Sequence, residues 1–179
     1  MTQDELDLSA YILDVPDYPE PGVMFKDISP LLADHGAFAS TVTRLSLAGC
    51  DDAGEPVVDL VLGTEARGFI LAAPVALELG VGFVPVRKAG KLPREVVGES
   101  YALEYGEATL EIHSDAVKPG DRVLLIDDVL ATGGTLDATR KLVERCGGVI
   151  VGVAVLMELS FLPGRQTLGD LRVTALVTV

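Results

Sequence analysis

One stretch constrains this chain more than any other: Val123-Leu124-Leu125-Ile126-Asp127-Asp128-Val129-Leu130-Ala131-Thr132-Gly133-Gly134-Thr135. A run that is apolar on both faces, Val123–Ile126, suits a central strand of a parallel sheet, because helices cover both sides of such a strand. The run ends in two adjacent carboxylates, and small residues then lead into a helix predicted over Thr135–Cys146. Ala138, Leu142 and Cys146 recur on one face of that helix and Gly147 caps it. Gly133 and Gly134 let backbone N–H groups curl around an anion, Thr132 and Thr135 add hydroxyl donors, and the helix N-terminus adds a partial positive charge. No Lys follows the glycines, so this is not the G-x-x-x-x-G-K-[ST] nucleotide loop, and the G-x-G-x-x-G of dinucleotide folds is also missing. The paired carboxylates are unsuited to phosphate and suited to ribose hydroxyls or a solvated Mg²⁺.

The same alternation of strand and helix recurs upstream and downstream. Val57–Leu62 predicts a strand ending at Gly63, Gly68–Leu79 a helix stopped by Gly80, and Gly82–Val86 a second short strand. Pro74 is expected to kink that helix or mark its first turn. Ala108–Ile112 alternates like an exposed strand, and Val149–Met157 and Leu171–Val179 predict two more. Alternating units predict an α/β fold: an open, mostly parallel twisted sheet with helices on both faces. Ligands in such folds bind beyond the carboxyl ends of the strands. Nearer the N-terminus, Thr2 and Glu5 have capping-box spacing and predict a helix over Gln3–Leu13. Pro16, Pro19, Pro21 and Gly22 then predict an ordered loop as far as Pro30, followed by a helix over Ala37–Ala48 and a turn at Asp51–Gly54. With no internal repeat, 179 residues read as a single domain, 1–179.

Charge narrows the partners. With 14 Lys and Arg against 27 Asp and Glu the net charge is −13, which disfavours nucleic acid and anionic membranes. The cations are nevertheless concentrated: Arg87, Lys88, Lys91 and Arg94 stand within eight positions that hold no acid. Gly90, Pro93 and Gly98 punctuate the surrounding stretch, so 87–106 is expected to be a long mobile loop that acts as a lid. Arg67, in Gly63-Thr64-Glu65-Ala66-Arg67, sits between small residues at a strand end. There it either faces a pyrophosphate bidentately or pairs with a surface carboxylate. His113, after an exposed strand, and His35, in an Asp-His-Gly turn, read as surface residues. Cys50 and Cys146 lack disulfide or metal-ligand spacing, the acidic start lacks the pattern of a signal peptide, and no apolar run is long enough to span a bilayer. A cytoplasmic protein is expected.

The 123–135 stretch resembles the 5-phosphoribosyl 1-pyrophosphate (PRPP) signature of type I phosphoribosyltransferases. The resemblance implies that Ala131, Thr132, Gly133, Gly134 and Thr135 grip the 5′-phosphate. It also implies that Asp127 and Asp128 hold the ribose 2′- and 3′-hydroxyls, directly or through metal-bound water. Tyr18-Pro19-Glu20-Pro21-Gly22-Val23-Met24-Phe25-Lys26-Asp27-Ile28-Ser29-Pro30 is similar to the N-terminal base-binding segment of adenine phosphoribosyltransferases. Ser100-Tyr101-Ala102-Leu103-Glu104-Tyr105-Gly106 and Arg87-Lys88-Ala89-Gly90-Lys91-Leu92-Pro93 are similar to that family's loop. The likeness runs from about Tyr18 to Arg165. It implies a base-binding segment within 1–35, with Met24, Phe25 and Lys26 lining an adenine pocket and Leu159 closing its other side. Phe25 read alone is better taken as a buried core residue, and Lys26 stands where the family is expected to carry Arg.

The implied reaction is transfer of the phosphoribosyl group of PRPP to adenine, giving AMP and pyrophosphate, with Mg²⁺ required. The resemblance also implies a homodimer. Arg67, Lys88, Lys91 and Tyr105 are expected at the pyrophosphate. Glu104, between two tyrosines on the lid, is expected to handle the proton that adenine loses. Two alternatives share the fold: a PRPP-sensing regulator, and a phosphoribosyltransferase for another 6-substituted purine.

Overall fold

The structure is a computed structural model and describes residues 6–102 and 106–179. Its centre is a seven-stranded sheet in the order β5-β6-β4-β3-β7-β8-β9. These strands are β3 (Leu60–Thr64), β4 (Gly82–Lys88), β5 (Val96–Ala102), β6 (Glu107–His113), β7 (Arg122–Leu130), β8 (Val149–Glu158) and β9 (Val173–Thr178). The ladders among β4, β3, β7, β8 and β9 are parallel, and β6 joins β4 and β5 antiparallel. The expected mostly parallel sheet is therefore present. Alternation along its central strands divides the core. Leu124, Ile126, Ala154 and Leu156 pack with α2 (His35–Ser46) and α3 (Arg67–Leu79), while Val123, Leu125, Val153 and Val155 pack with α4 (Gly134–Arg145). Helices thus cover both faces. Among the described residues no helix is long and apolar enough to cross a membrane.

Several boundaries differ from the sequence reading. The helix expected over 3–13 is replaced, within the described residues, by a 3₁₀ turn at Leu8–Tyr11 and then by strand β1 (Leu13–Pro16). Asp7 caps that turn, and β1 pairs antiparallel with β2 (Met24–Asp27), so the segment expected to be a loop is half hairpin. A short α1 (Ser29–Ala33) follows, started by Pro30 in its first turn, where the missing N–H costs nothing. Helix α2 begins at His35 rather than 37, because the Asp34 carboxylate accepts the Ala37 N–H at 2.8 Å. His35 therefore opens a helix instead of sitting in a turn, though it is exposed. Strand β3 starts at Leu60, three residues later than expected, since Val57 and Asp59 bond to Gly49 and Arg122 outside the ladder. Helix α3 runs on through Pro74 and ends at left-handed Gly80. Strand β6, expected to be exposed, buries Leu110 and Ile112 on one face. Within 87–106, Val96–Ala102 is strand rather than loop, pairing residue for residue with Glu107–His113.

Candidate active site

Strands β3 and β7 lie side by side and parallel, Gly63 opposite Ile126, so the turns that follow them open on the same edge of the sheet. After β3 comes Glu65-Ala66-Arg67, whose Glu65–Ala66 peptide is cis. After β7 comes Ala131-Thr132-Gly133, with α4 beginning at Gly134. Between the turns lies a cleft of about 340 Å³ lined by residues 65–67 and 127–136. Arg67, Asp127, Asp128 and Ala131–Thr135, singled out from the sequence at two places far apart, all line this cleft.

Both carboxylates are buried, 8% and 4% exposed. Asp127 Oδ1 accepts the backbone N–H of Asp128 at 2.9 Å. It approaches the start of α3 so closely that a Cβ on Gly68 would lie 2.8 Å from it. Burial, reinforced by the Asp128 charge, pushes the Asp127 carboxyl well above the usual carboxylate range. Arg67 Nε stands 2.8 Å from Asp128 Oδ2, but its N–H is not aligned on that oxygen, which is buried without a hydrogen bond among the described residues. A buried oxygen of this kind is costly until a hydroxyl or a water reaches it.

Gly133 caps α4 with φ +85°, and its carbonyl accepts the Asp137 N–H at 2.9 Å. The first N–H groups of α4 have no partner within the helix and open toward the cleft, the arrangement that binds anions. Tyr101 of β5 lies over this turn. Its hydroxyl is 3.4 Å from Thr135 Oγ1, and a Cβ on Gly134 would sit 3.3 Å from its ring.

The basic residues gather on Glu65. Its carboxylate bonds the Lys91 ammonium, stands 3.3 Å from Arg87 Nε, and accepts the Lys88 backbone N–H at 3.1 Å. The Lys91 bond, opposed by desolvation and aided by the Lys88 N–H and Arg87, brings the Glu65 carboxyl to about 2. Sequence reasoning did not single out Glu65 or Arg87 as site residues. The available signal was an acid beside Arg67 and a basic cluster in 87–94 with no acid of its own.

A second cavity, of about 390 Å³, adjoins the N-terminal hairpin and is lined by Val15, Tyr18, Phe25, Asp27, Ile28, Ser29, Leu32, Arg67 and Ile70. Phe25 meets Tyr18 edge-on at 5.1 Å, and the Arg67 guanidinium lies 5.0 Å from the Phe25 ring centre. Arg67 therefore lines both cavities. Of the other residues assigned to the base, Met24 is 52% exposed and Lys26 pairs with Asp14 across the hairpin at 2.6 Å. Leu159 packs against the core, and its N–H donates to the Leu130 carbonyl. None of these three lines either cavity. Glu104 and Tyr105 lie outside the described residues. The His113 ring is bonded to the Pro93 carbonyl, 2.6 Å away.

Comparison with known proteins accords with this geometry. Residues 31–167 match the family model for the phosphoribosyl transferase domain. An adenine phosphoribosyltransferase of Nocardioides sp. (strain ATCC BAA-499 / JS614) is 66% identical over 170 residues, covering 95% of this chain and 92% of that protein. The crystal structure of adenine phosphoribosyltransferase from Thermoanaerobacter pseudethanolicus superposes with a TM-score of 0.90 at 46% identity, over 96% of this chain and 98% of that one. The Saccharomyces cerevisiae enzyme, crystallised with adenine and an imino-altritol bisphosphate, gives 0.89 at 38% identity, over 94% and 96%.

Proposed function

The chain belongs to the phosphoribosyl transferase domain family, as one of its adenine phosphoribosyltransferases, and from that membership we propose how its residues divide the reaction. Adenine and PRPP are converted to AMP and pyrophosphate, a step of purine salvage. The observation that carries the reading is the shared arginine. Arg67 borders both the cleft holding Asp127, Asp128 and the 131–135 turn, and the cavity faced by Phe25. A phosphorylated ribose in the first and a planar base in the second would meet at one guanidinium.

Ala131, Thr132, Gly133, Gly134 and Thr135 anchor the 5′-phosphate through backbone N–H groups and two hydroxyls. Asp127 and Asp128 hold the ribose hydroxyls. Arg67, Lys88 and Lys91 neutralise the pyrophosphate and Tyr105 hydrogen-bonds to it, while Glu65 keeps Lys91 and Arg87 beside the cleft until that stronger anion takes them. Phe25 stacks on the base; Leu159, which lines neither cavity, is assigned its other side from the resemblance alone. Met24 and Lys26, which flank Phe25 but line neither cavity, are assigned backbone contacts to the base, the Lys26 ammonium being committed to Asp14. N9 of adenine attacks C1′ as pyrophosphate departs, through an oxocarbenium-like sugar, so catalysis is chiefly positioning and charge stabilisation. Closure of 87–106 excludes water that would hydrolyse the activated sugar. In this reading 1–179 is one catalytic domain, 1–35 supplying its base-binding segment.

The donor set suits Mg²⁺. Asp128 Oδ2 is buried without a hydrogen bond, and among the described residues no cluster of three or more His, Cys, Asp or Glu forms a cage. Mg²⁺ is commonly held by one or two carboxylates together with waters and substrate oxygens. Asp127 and Asp128 would hold it, through water, and bound there it would offset the negative charge of the pyrophosphate.

The function is tested by pyrophosphate release with PRPP and a panel of bases. Backbone donors and acceptors that pair with a 6-amino group, once the bound base covers them, would leave a 6-oxo base with unpaired polar atoms. Adenine is expected to exceed hypoxanthine in kcat/KM by ~10²–10³-fold. Equal values would overturn the adenine assignment, and no release with any base would overturn the enzymatic one.

A homodimer is supported by α3, where Ile70 and Leu77, seven positions apart on one face, are 43% and 82% exposed. Leu77→Glu would place two unpaired charges in a two-fold contact and is expected to weaken the dimer at least ~10²-fold. Sedimentation equilibrium reads this; a monomeric parent protein, or an unaffected variant, would refute it. Cys50 and Cys146, unpaired and on opposite faces of the sheet, suit a reducing cytoplasm.

A further inference from the structure

Leu159 apart, the chain after β8 carries no role in the reaction described so far, yet it floors the anion-binding turn. Leu159 to Pro163 leads into the short helix α5 (Gly164–Leu168), which is pressed against residues 130–133. A Cβ on Gly164 would lie 2.5 Å from the Ala131 carbonyl oxygen, and one on Gly133 would lie 2.8 Å from the Gly164 carbonyl oxygen. Contacts this close leave no room for the turn to settle toward α5. The helix is held in turn by the sheet. The Arg165 guanidinium forms a two-pronged pair with buried Glu158 at the end of β8, at 2.7 and 2.8 Å, and donates to the Val173 carbonyl of β9 at 3.1 Å. One directional bond then joins this floor to the turn: Thr167 Oγ1 donates to the Thr132 carbonyl at 2.7 Å.

That bond has a consequence for the opposite side of the peptide. In a trans peptide the carbonyl of one residue and the N–H of the next point in opposite directions. Holding the Thr132 carbonyl down toward α5 therefore turns the Gly133 N–H away from α5, toward the cleft. Without the Thr167 hydroxyl the peptide is free to rotate, and Gly133, which tolerates most backbone angles, offers no resistance. We propose that Thr167 is a positioning residue for the 5′-phosphate, fixing the Thr132–Gly133 peptide so that its N–H is presented to the anion. This rests on the reading of residues 131–135 as the 5′-phosphate site.

The test is calorimetry with PRPP, AMP and inorganic pyrophosphate, each with Mg²⁺, on the parent protein, Thr167→Val and Thr167→Ser. Thr167 is exposed, so valine keeps its shape and removes only the hydroxyl. Loss of one preorganised donor is expected to weaken PRPP and AMP, which both carry a 5′-phosphate, ~3- to 10-fold. Pyrophosphate affinity and the KM for adenine should stay unchanged, and serine should restore PRPP and AMP binding. A valine variant that binds PRPP and AMP as the parent does would overturn the proposal while leaving the 5′-phosphate site in place. Equal losses for all three ligands, or failure of serine to rescue, would reduce Thr167 to general support and overturn it too. A parent protein that binds neither PRPP nor AMP would overturn the reading of residues 131–135 itself, and the proposal with it.

Discussion

Replacing Gly133 with valine is expected to lower PRPP affinity ~10³-fold or more, beyond detection by calorimetry, while far-UV circular dichroism stays native-like. Two independent obstacles produce the effect. Gly133 has φ +85°, a conformation that costs a β-branched residue ~1–2 kcal/mol even without neighbours. Its Cβ would also lie 2.8 Å from the Gly164 carbonyl oxygen and 2.9 Å from Thr167 Cβ, on a helix that Arg165 ties to β8 and β9. The turn must therefore move, and its N–H groups move with it. Hydrogen bonds to a charged group contribute ~1.5–3 kcal/mol each, so misdirecting two of them accounts for the loss. Gly134 is a weaker position. A Cβ there meets only the side of the Tyr101 ring at 3.3 Å, and residue 134 opens α4 without a positive φ. The sequence marked the two glycines as equivalent, and tertiary contact separates them. Unchanged PRPP affinity in Gly133→Val would place the phosphate elsewhere.

Glu104→Gln is expected to lower kcat ~10²–10⁴-fold while PRPP affinity stays near that of the parent protein. Adenine must lose a proton as the bond from N9 forms, and the described residues offer few acceptors for it. Asp128 stands against the Arg67 guanidinium, and Asp127 bonds the Asp128 N–H beneath the start of α3. His113 is bonded to the Pro93 carbonyl, and His35 opens α2 on the surface. Glu104 lies outside the described residues, two positions beyond the end of β5 at Ala102. Glutamine keeps the size and hydrogen-bonding capacity of the side chain and cannot exchange a proton. Single-turnover measurements with saturating PRPP isolate the chemical step. Full turnover in Glu104→Gln with impairment only in Glu104→Ala would make the residue a latch for the lid and sink its assignment as the base.

The 123–135 stretch was legible because everything that shapes it is local. Both-sided apolarity marks a central strand, consecutive carboxylates mark its exit, and paired glycines flanked by threonines ahead of a helical pattern mark the anion-binding turn. Thirteen residues carry these signals without help from distant partners. Strand β5 was not legible for the opposite reason. Val96–Ala102 contains glycine and polar residues and becomes a strand only because β6 pairs with it along its whole length. The hairpin of β1 and β2 was hidden likewise, its prolines reading as loop until two short strands met across the turn.

By itself the sequence determined the class of fold, the identity of the anion-binding turn and the family to which its motifs are similar, since each rests on residues within a turn or two of one another. Only the tertiary structure decided which distant residues meet. Parallel pairing of β3 with β7 sets Arg67 on Asp128, 61 positions away, and against Phe25 of the hairpin. Docking of the 87–94 segment brings Lys91 and Arg87 to Glu65. The return of the chain after β8 slides α5 beneath Thr132 and Gly133. The physical reason is that such encounters depend on strand order and register. These are chosen by the packing of the whole sheet, and no local pattern of residues encodes them.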